Sequence, residues 1–395
     1  MSHATHLPPA RRPWPLRHSI GLLLLEAALL TGAIYYFANA WVGVGLSMLG
    51  VAVALLILLP LSSGRSMGHM LQRRWAYGSR KPRADVRPDE LRPLAEWIPE
   101  LDISTTQTGR GEPIGLAFDG DAWVAVLAVV DDDEIIADGG AELDLTALDE
   151  LTAFDDIVFD GLQVITHFAP APAVRVLGDR APAVLAYQEL GTPVPPSVCT
   201  TWIAVRLDPR RCLPAVTRRG PSNHEVGPEG PMATLRFGVH RVQSQLKLRG
   251  VTTRLVDAEE LTEVLARTTG TAEESRTPDG PASDEDWELW SCDGFVHAAM
   301  AVRDWGHDVN HGHATLLALA MQSPVMWGVV SYTARHGNSP SGAIRLVDAD
   351  DDLVIETLDG VCDQAEDSGI AFESPGGMAV PGMLSTVPLG RGWWS

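Results

Sequence analysis

The sequence predicts an α/β (mixed α+β) region with a mixed β-sheet, preceded by a two-helix hairpin long enough to span a membrane. Three observations carry that expectation. Two long apolar runs lie near the N-terminus. Behind them, strand-type runs alternate with amphipathic helical ones. Charge also divides the chain: residues 1–92 hold 11 basic and 4 acidic side chains, and residues 93–395 hold 19 and 47. With 45% apolar and 21% charged residues, the chain can bury a core. The chain's net −21 excludes a general nucleic-acid binder, which needs the opposite balance.

Ser19–Phe37 is a 19-residue run with one charge, Glu26, and Trp41–Leu61 is a 21-residue run with none. As helices they would span about 28 and 32 Å, against a hydrocarbon core of about 30 Å. Only residues 38–40 separate them, which forces an antiparallel hairpin. Arg11, Arg12 and Arg17 precede the first run. Arg65, Arg73, Arg74, Arg80, Lys81, Arg83 and Arg87 follow the second, and the tip is uncharged. Cations at the outer ends place both termini in the cytoplasm, with the hairpin in the inner (plasma) membrane. Two successive spans also distinguish the hairpin from a cleaved signal peptide.

Small residues recur at i, i+4 spacing in these runs: Ala28/Gly32, Gly43/Ser47 and Gly50/Ala54. They allow close helix approach, either between the two spans or onto another membrane protein. Glu26 favours the second, because an intramembrane carboxylate faces protein rather than lipid. Glu26, Ala28, Gly32, Gly43 and Ser47 are the partner-facing candidates.

The expected organisation is a basic N-terminus (1–18), the hairpin (19–61, with spans 19–37 and 41–61), a basic juxtamembrane segment (62–92) and an acidic cytoplasmic domain (93–395). The juxtamembrane segment carries a helix over Met67–Tyr77, and its charge suits anionic headgroups. The Thr-, Glu-, Ser-, Pro- and Gly-rich stretch at 270–284 subdivides the acidic part.

Within that part, Ile114–Phe118 and Trp123–Val130 form a hairpin around Asp119-Gly120, and the second run is apolar enough for burial on both faces. Leu145–Leu151 is a short helix. Ile157–Phe159 and Gln163–Phe168 are strands around Asp160-Gly161. Thr200–Asp208 is a strand stopped by Pro209. A helix over Met232–Leu248 ends at Gly250, Val251–Val256 is a short strand, and Asp257 caps a helix to Arg267. Strands follow at Trp287–Ser291, Phe295–Val302, Val325–Ala334 and Ala343–Val347. Helices follow at Ala314–Met321 and about Asp350–Glu366. No internal repeat stands out.

Chemistry-bearing residues are sparse. Cys199, Cys212, Cys292 and Cys362 are too dispersed for a zinc knuckle and read as buried thiols of a reducing compartment. His307, His311 and His313 lie within seven residues beside Asp304 and Asp308, and are the metal candidates. Their Asn- and Gly-rich context predicts a loop instead. The acidic runs Asp131–Glu134 and Asp350–Asp352 suggest solvated turns or helix starts, or a carboxylate metal site. No phosphate-binding loop, nucleophile elbow or dinucleotide fingerprint is present, so no catalytic residue or cofactor is assigned. Trp393 and Trp394 are expected to pack on the domain.

The hairpin, the basic stretch and the acidic domain together resemble the EccE family, a membrane component of type VII (ESX) secretion systems of actinobacteria. Local matches are Ile114–Gly120 followed by Trp123–Val130; Thr201–Pro209, then a loop and a helix ending at Arg249-Gly250 before Arg254–Leu261; and Leu384–Leu389 with Gly390-Arg391. The loop at 221–230 lacks the family's glycine run. The resemblance implies a non-catalytic structural subunit of the secretion core, beside EccB, the EccC ATPase and EccD. The other reading of the residues is a membrane-anchored, metal-dependent transferase or hydrolase, and a third is a tethered binding module.

Overall fold

The computed structural model describes residues 26, 30–33, 36, 40–58, 60–62, 65–83, 90–109, 111–130, 143–170, 174–178, 180–189, 197–220, 227–271, 281–373 and 376–393. These fall into two compact units, one within residues 8–81 and one within 82–395.

In the first unit, helix α1 (Ala40–Leu58) contains no charged residue. It stops before Pro60, which opens a short strand, Pro60–Ser62, antiparallel to Arg65–Ser66. The helix thus ends three residues short of Leu61, as a proline cannot continue the helical hydrogen bonding. Helix α2 (Met67–Ser79) follows at once. At 19 residues α1 is about 28 Å long, a little under the hydrocarbon core of about 30 Å. Among the described residues, no helix is long and apolar enough to cross a membrane. Most of the first predicted span lies outside the described residues.

The second unit is built on one 12-stranded sheet. Every pairing in it is antiparallel, which corrects the expected mixed sheet. Besides short helices at Arg92–Ala95, Val174–Leu177 and Pro182–Glu189, the elements in chain order are β1 (Asp102–Gln107), β2 (Pro113–Phe118), β3 (Trp123–Val129), α3 (Leu145–Glu150), β4 (Gly161–Pro170), β5 (Ser197–Leu207), α4 (Leu213–Arg219), α5 (Glu229–Leu248), β6 (Thr253–Leu255) and α6 (Ala258–Thr269). They continue with β7 (Ser283–Glu285), β8 (Leu289–Cys292), β9 (Phe295–Asp304), α7 (Val309–Met321), β10 (Trp327–Ala334), β11 (Ser341–Asp348), α8 (Asp351–Glu366), β12 (Ala371–Glu373) and α9 (Ala379–Leu384). Ile157–Val158 does not join β4; it pairs with Ala153–Phe154 in a separate small hairpin.

The spatial order is β7-β8-β9-β11-β10-β4-β5-β3-β2-β1, with β6 on β3 and β12 on β9. This order is a repeat. Strands β1–β6 and β7–β12 each form a three-strand meander, then a hairpin whose second strand inserts beside the meander, then a short strand returning to the meander's third. The halves meet at β4 and β10, where Ile165 faces Ser331. Helices fall on matching faces. Buried residues of α3, α5, α7 and α8 join the larger core, and those of α6 and α9 join the smaller one across the sheet. The repeat was invisible as a period because its spacing is uneven: β1 and β7 start at Asp102 and Ser283, but α6 and α9 at Ala258 and Ala379.

The β2–β3 hairpin is as expected, with Gly120 taking the left-handed φ of 92° that its turn demands. Strand β3 is buried from Val124 to Ala128, as a strand covered on both faces should be.

Candidate functional site

Two arginines occupy corresponding strands, β5 and β11, on the face covered by α6 and α9. Arg206 is buried and pairs with Asp119 in the β2–β3 turn. Its Nε donates to Asp160 at 3.0 Å and its NH1 to the Leu389 carbonyl at 3.2 Å. Asp119 also accepts from Arg391 Nε at 2.8 Å and the Ala122 amide at 3.0 Å. Burial alone would raise the Asp119 pKa, but Arg206 and Arg391 overcome it and hold the carboxyl down at about 2. Gln163 on β4 completes this lock. It donates to the carbonyls of Ser385 (2.6 Å) and Arg391 (3.0 Å) and accepts from the Gly390 amide (2.8 Å). The segment after α9 is thus fastened across the midline onto the first half.

The mirror contact exists. Arg345 on β11 is fully buried and donates to the carbonyl of Thr268, at the end of α6. Each half therefore presents a backbone carbonyl at or beyond the end of its last helix to an arginine of the other half. The surroundings differ. Among the described residues Arg345 meets no carboxylate: its other contacts are His297 Nδ1 at 2.9 Å and the Trp327 ring at 5.2 Å, and its Nε has no hydrogen-bond partner there. Burial accordingly lowers its pKa.

His297 stands between Arg345 and Cys292, whose Sγ is 3.7 Å from His297 Nε2. A guanidinium only donates, so Nδ1 must accept and the ring proton must sit on Nε2, aimed at the sulfur. His297 then cannot take a proton from Cys292 at Nε2. Burial keeps the imidazole neutral, with the Arg345 charge acting in the same direction, and pushes the Cys292 thiol up. The group has the composition of a nucleophilic dyad with the hydrogen bond reversed.

A cleft of about 450 Å³ opens between α6 and the sheet. Ala128 and Val130 at the β3 end, Thr200 and Trp202 of β5, and Glu263, Val264 and Arg267 of α6 line it. Arg254 on the rim is paired with Glu260, whereas Arg267 has no partner among the described residues.

The residues singled out from sequence are dispersed. α7 begins at Val309, not Ala314, so His311 and His313 are helical and the loop expectation is corrected. Asp308 caps this helix through the Asn310 and His311 amides, and Asn310 Oδ1 accepts from the Leu145 amide. His307 and His311 are exposed; His313 packs against Trp305, its Nε2 buried and unpaired. Burial holds His313 down at about 4. Among the described residues, no three His, Cys, Asp or Glu side chains gather as a metal site. Asp131–Glu134 lie outside the described residues, and Asp350 caps α8.

In the first unit, Gly32, Gly43 and Ser47 meet: a Cβ on Gly32 would collide with the Ser47 hydroxyl, and one on Gly43 with the backbones of Tyr36 and Gly32. Glu26 is exposed, and Ala28 lies outside the described residues. Cys212, Cys292 and Cys362 are buried as expected, but Cys199 is exposed beside Met321. Trp393 is buried.

The structure defines a self-duplicated antiparallel α+β protein whose buried charges fasten one half to the other. Residues 196–302, from β5 to β9, match the model of a family described as the type VII ESX secretion system translocon, EccE. The chain is also similar to the ESX-1 secretion system protein EccE1 of Mycobacterium tuberculosis, in strains CDC 1551 / Oshkosh and ATCC 25618 / H37Rv. Identity is 26% over 258 residues, covering 61% of this chain and 49% of each relative. The chain thus spans about half the length of the curated relatives it matches. Both comparisons show the likeness to EccE.

Proposed function

We propose that this chain is a structural, non-catalytic subunit of a type VII secretion membrane complex, supporting protein export across the inner membrane. The observation that carries the reading is the family match over 196–302, which covers the chain connection from the first half to the second. In this reading the N-terminal runs form a two-pass hairpin with both termini cytoplasmic, and Gly32, Gly43 and Ser47 are the close contact between its helices. Residues 93–395 form the cytoplasmic domain and dock onto neighbouring subunits of the EccB, EccC and EccD type. The reversed Cys292–His297 bond and the outward His307 and His311 fit a scaffold better than a hydrolase.

The test is recovery of the tagged chain from its native membrane in mild detergent, with native electrophoresis and mass spectrometry. Co-purification in a very large assembly with an ATPase and a polytopic membrane protein is the expected result. A small lone species, stable across several detergents, would overturn the proposal.

A further inference from the structure

The cleft beside α6 has a counterpart in the second half, and that counterpart is filled. In the first half its walls are the strand pair Ala128–Trp202 and the helix residue Val264. The same places in the second half are held by the strand pair Ala301–Ala343 and by Gly382. The helix equivalence rests on a shared bond: Thr268 donates its hydroxyl to the Val264 carbonyl and Thr386 donates to Gly382, each four residues back. Trp393 sits in the second site. It packs with Ala299, Ala301 and Ala343, and a Cβ on Gly382 would strike its ring. The tail that Gln163 and Arg206 fasten thus returns to plug its own half with an indole.

Among the described residues, the first half has no such plug. The end of α6 meets Arg345 through the Thr268 carbonyl, and residues 272–280 (AEESRTPDG) contain no aromatic residue. Trp202 replaces Ala343 and forms a wall, yet about 450 Å³ stays open above it. That is within the usual range of ligand clefts, about 300–1,000 Å³. The rim is mixed in charge: Arg254 is paired with Glu260, Glu263 is exposed, and Arg267 has no ion pair among the described residues.

We propose that this cleft is a docking site for an extended segment of a partner protein, which inserts one aromatic side chain beside Trp202 and sets a carboxylate against Arg267. The indole in the twin site argues for the aromatic group, and Arg267 for the acid. The proposal rests on the scaffold reading only for which protein supplies the segment.

The probe is a synthetic peptide of the chain's own last eleven residues, Ser385–Ser395, which carries both tryptophans and a terminal carboxylate. Its binding to the full-length chain in detergent is followed by fluorescence anisotropy. Saturable one-to-one binding is expected, lost when both tryptophans of the peptide are alanine. Arg267→Glu, at an exposed position, weakens it by about tenfold. Thr200→Trp closes the cleft mouth and abolishes binding, and both variants keep the wild-type melting temperature. No binding, or binding indifferent to the peptide's tryptophans and to both variants, would overturn the proposal. Concentration-dependent self-association abolished by Arg267→Glu would assign the cleft to a second copy and overturn it as well. Binding is read on the isolated chain and complex recovery on the native membrane, so either can fail while the other stands.

Discussion

Arg206 and Arg345 hold the same strand of their respective halves and solve the same problem differently. A buried guanidinium is tolerated when charge and donors are matched. Arg206 has Asp119 and Asp160; Arg345 has an imidazole, a carbonyl and an indole face. Asp119→Ala should therefore be severe, because Arg206 and Arg391 would be left facing each other. A loss of about 3–5 kcal/mol is expected, read from the chemical denaturation midpoint. A second prediction concerns acid. Burial holds His167 and His313 at about 4, against an ordinary value of 6.5, and places His297 lower still. Between pH 6.5 and 4 the unfolded chain takes up protons that the folded chain refuses. Stability falls as pH drops through that window, by about 2 kcal/mol per histidine at pH 5. Thermal melts at pH 7 and 5 check this, and His313→Leu should remove its share of the difference. Asp119 titrates below this window and does not confuse the reading.

At the scale of the element, capping decides where helices start. Asp257 accepts from the Glu260 amide at 2.9 Å and opens α6, which closes at Gly270 in the left-handed region with φ 84°. Asp257→Ala should lower stability by about 1 kcal/mol, measured by denaturation, while Thr262→Ala on the same helix should cost less. Such elements were legible because their signals are local. The β2–β3 hairpin and α6 were readable for that reason, as was the strand ending at Pro209. Elements held by tertiary contact were not. Strand β1 is Asp-Ile-Ser-Thr-Thr-Gln, polar and only partly covered, and α9 is Ala-Val-Pro-Gly-Met-Leu, with poor helix propensity. α7 hid behind His, Gly and Asn, although Asp308 was available as its cap. The site was less legible than the fold. An arginine inside an apolar strand, in Val-Arg-Leu-Asp and again in Ile-Arg-Leu-Val-Asp, was its one sequence signal.

For the second unit as a whole, duplication explains why both ends of the repeat matter. The first half cannot cover Arg206 without the tail after α9, and the second cannot cover Arg345 without the end of α6. The halves should therefore unfold together, as one cooperative body joined along β4 and β10. Trp393 is the part of this scheme most exposed to test. Its indole is buried on the alanines of β9 and β11. Trp393→Ala should cost about 3–5 kcal/mol by the transfer and cavity terms of a large buried aromatic. It should also uncover the twin of the first-half cleft. The Ser385–Ser395 peptide would then bind this variant at two sites, of which only one responds to Arg267→Glu. A loss of stability without the second site would mean that the socket collapses when emptied, and that the indole shapes its own pocket.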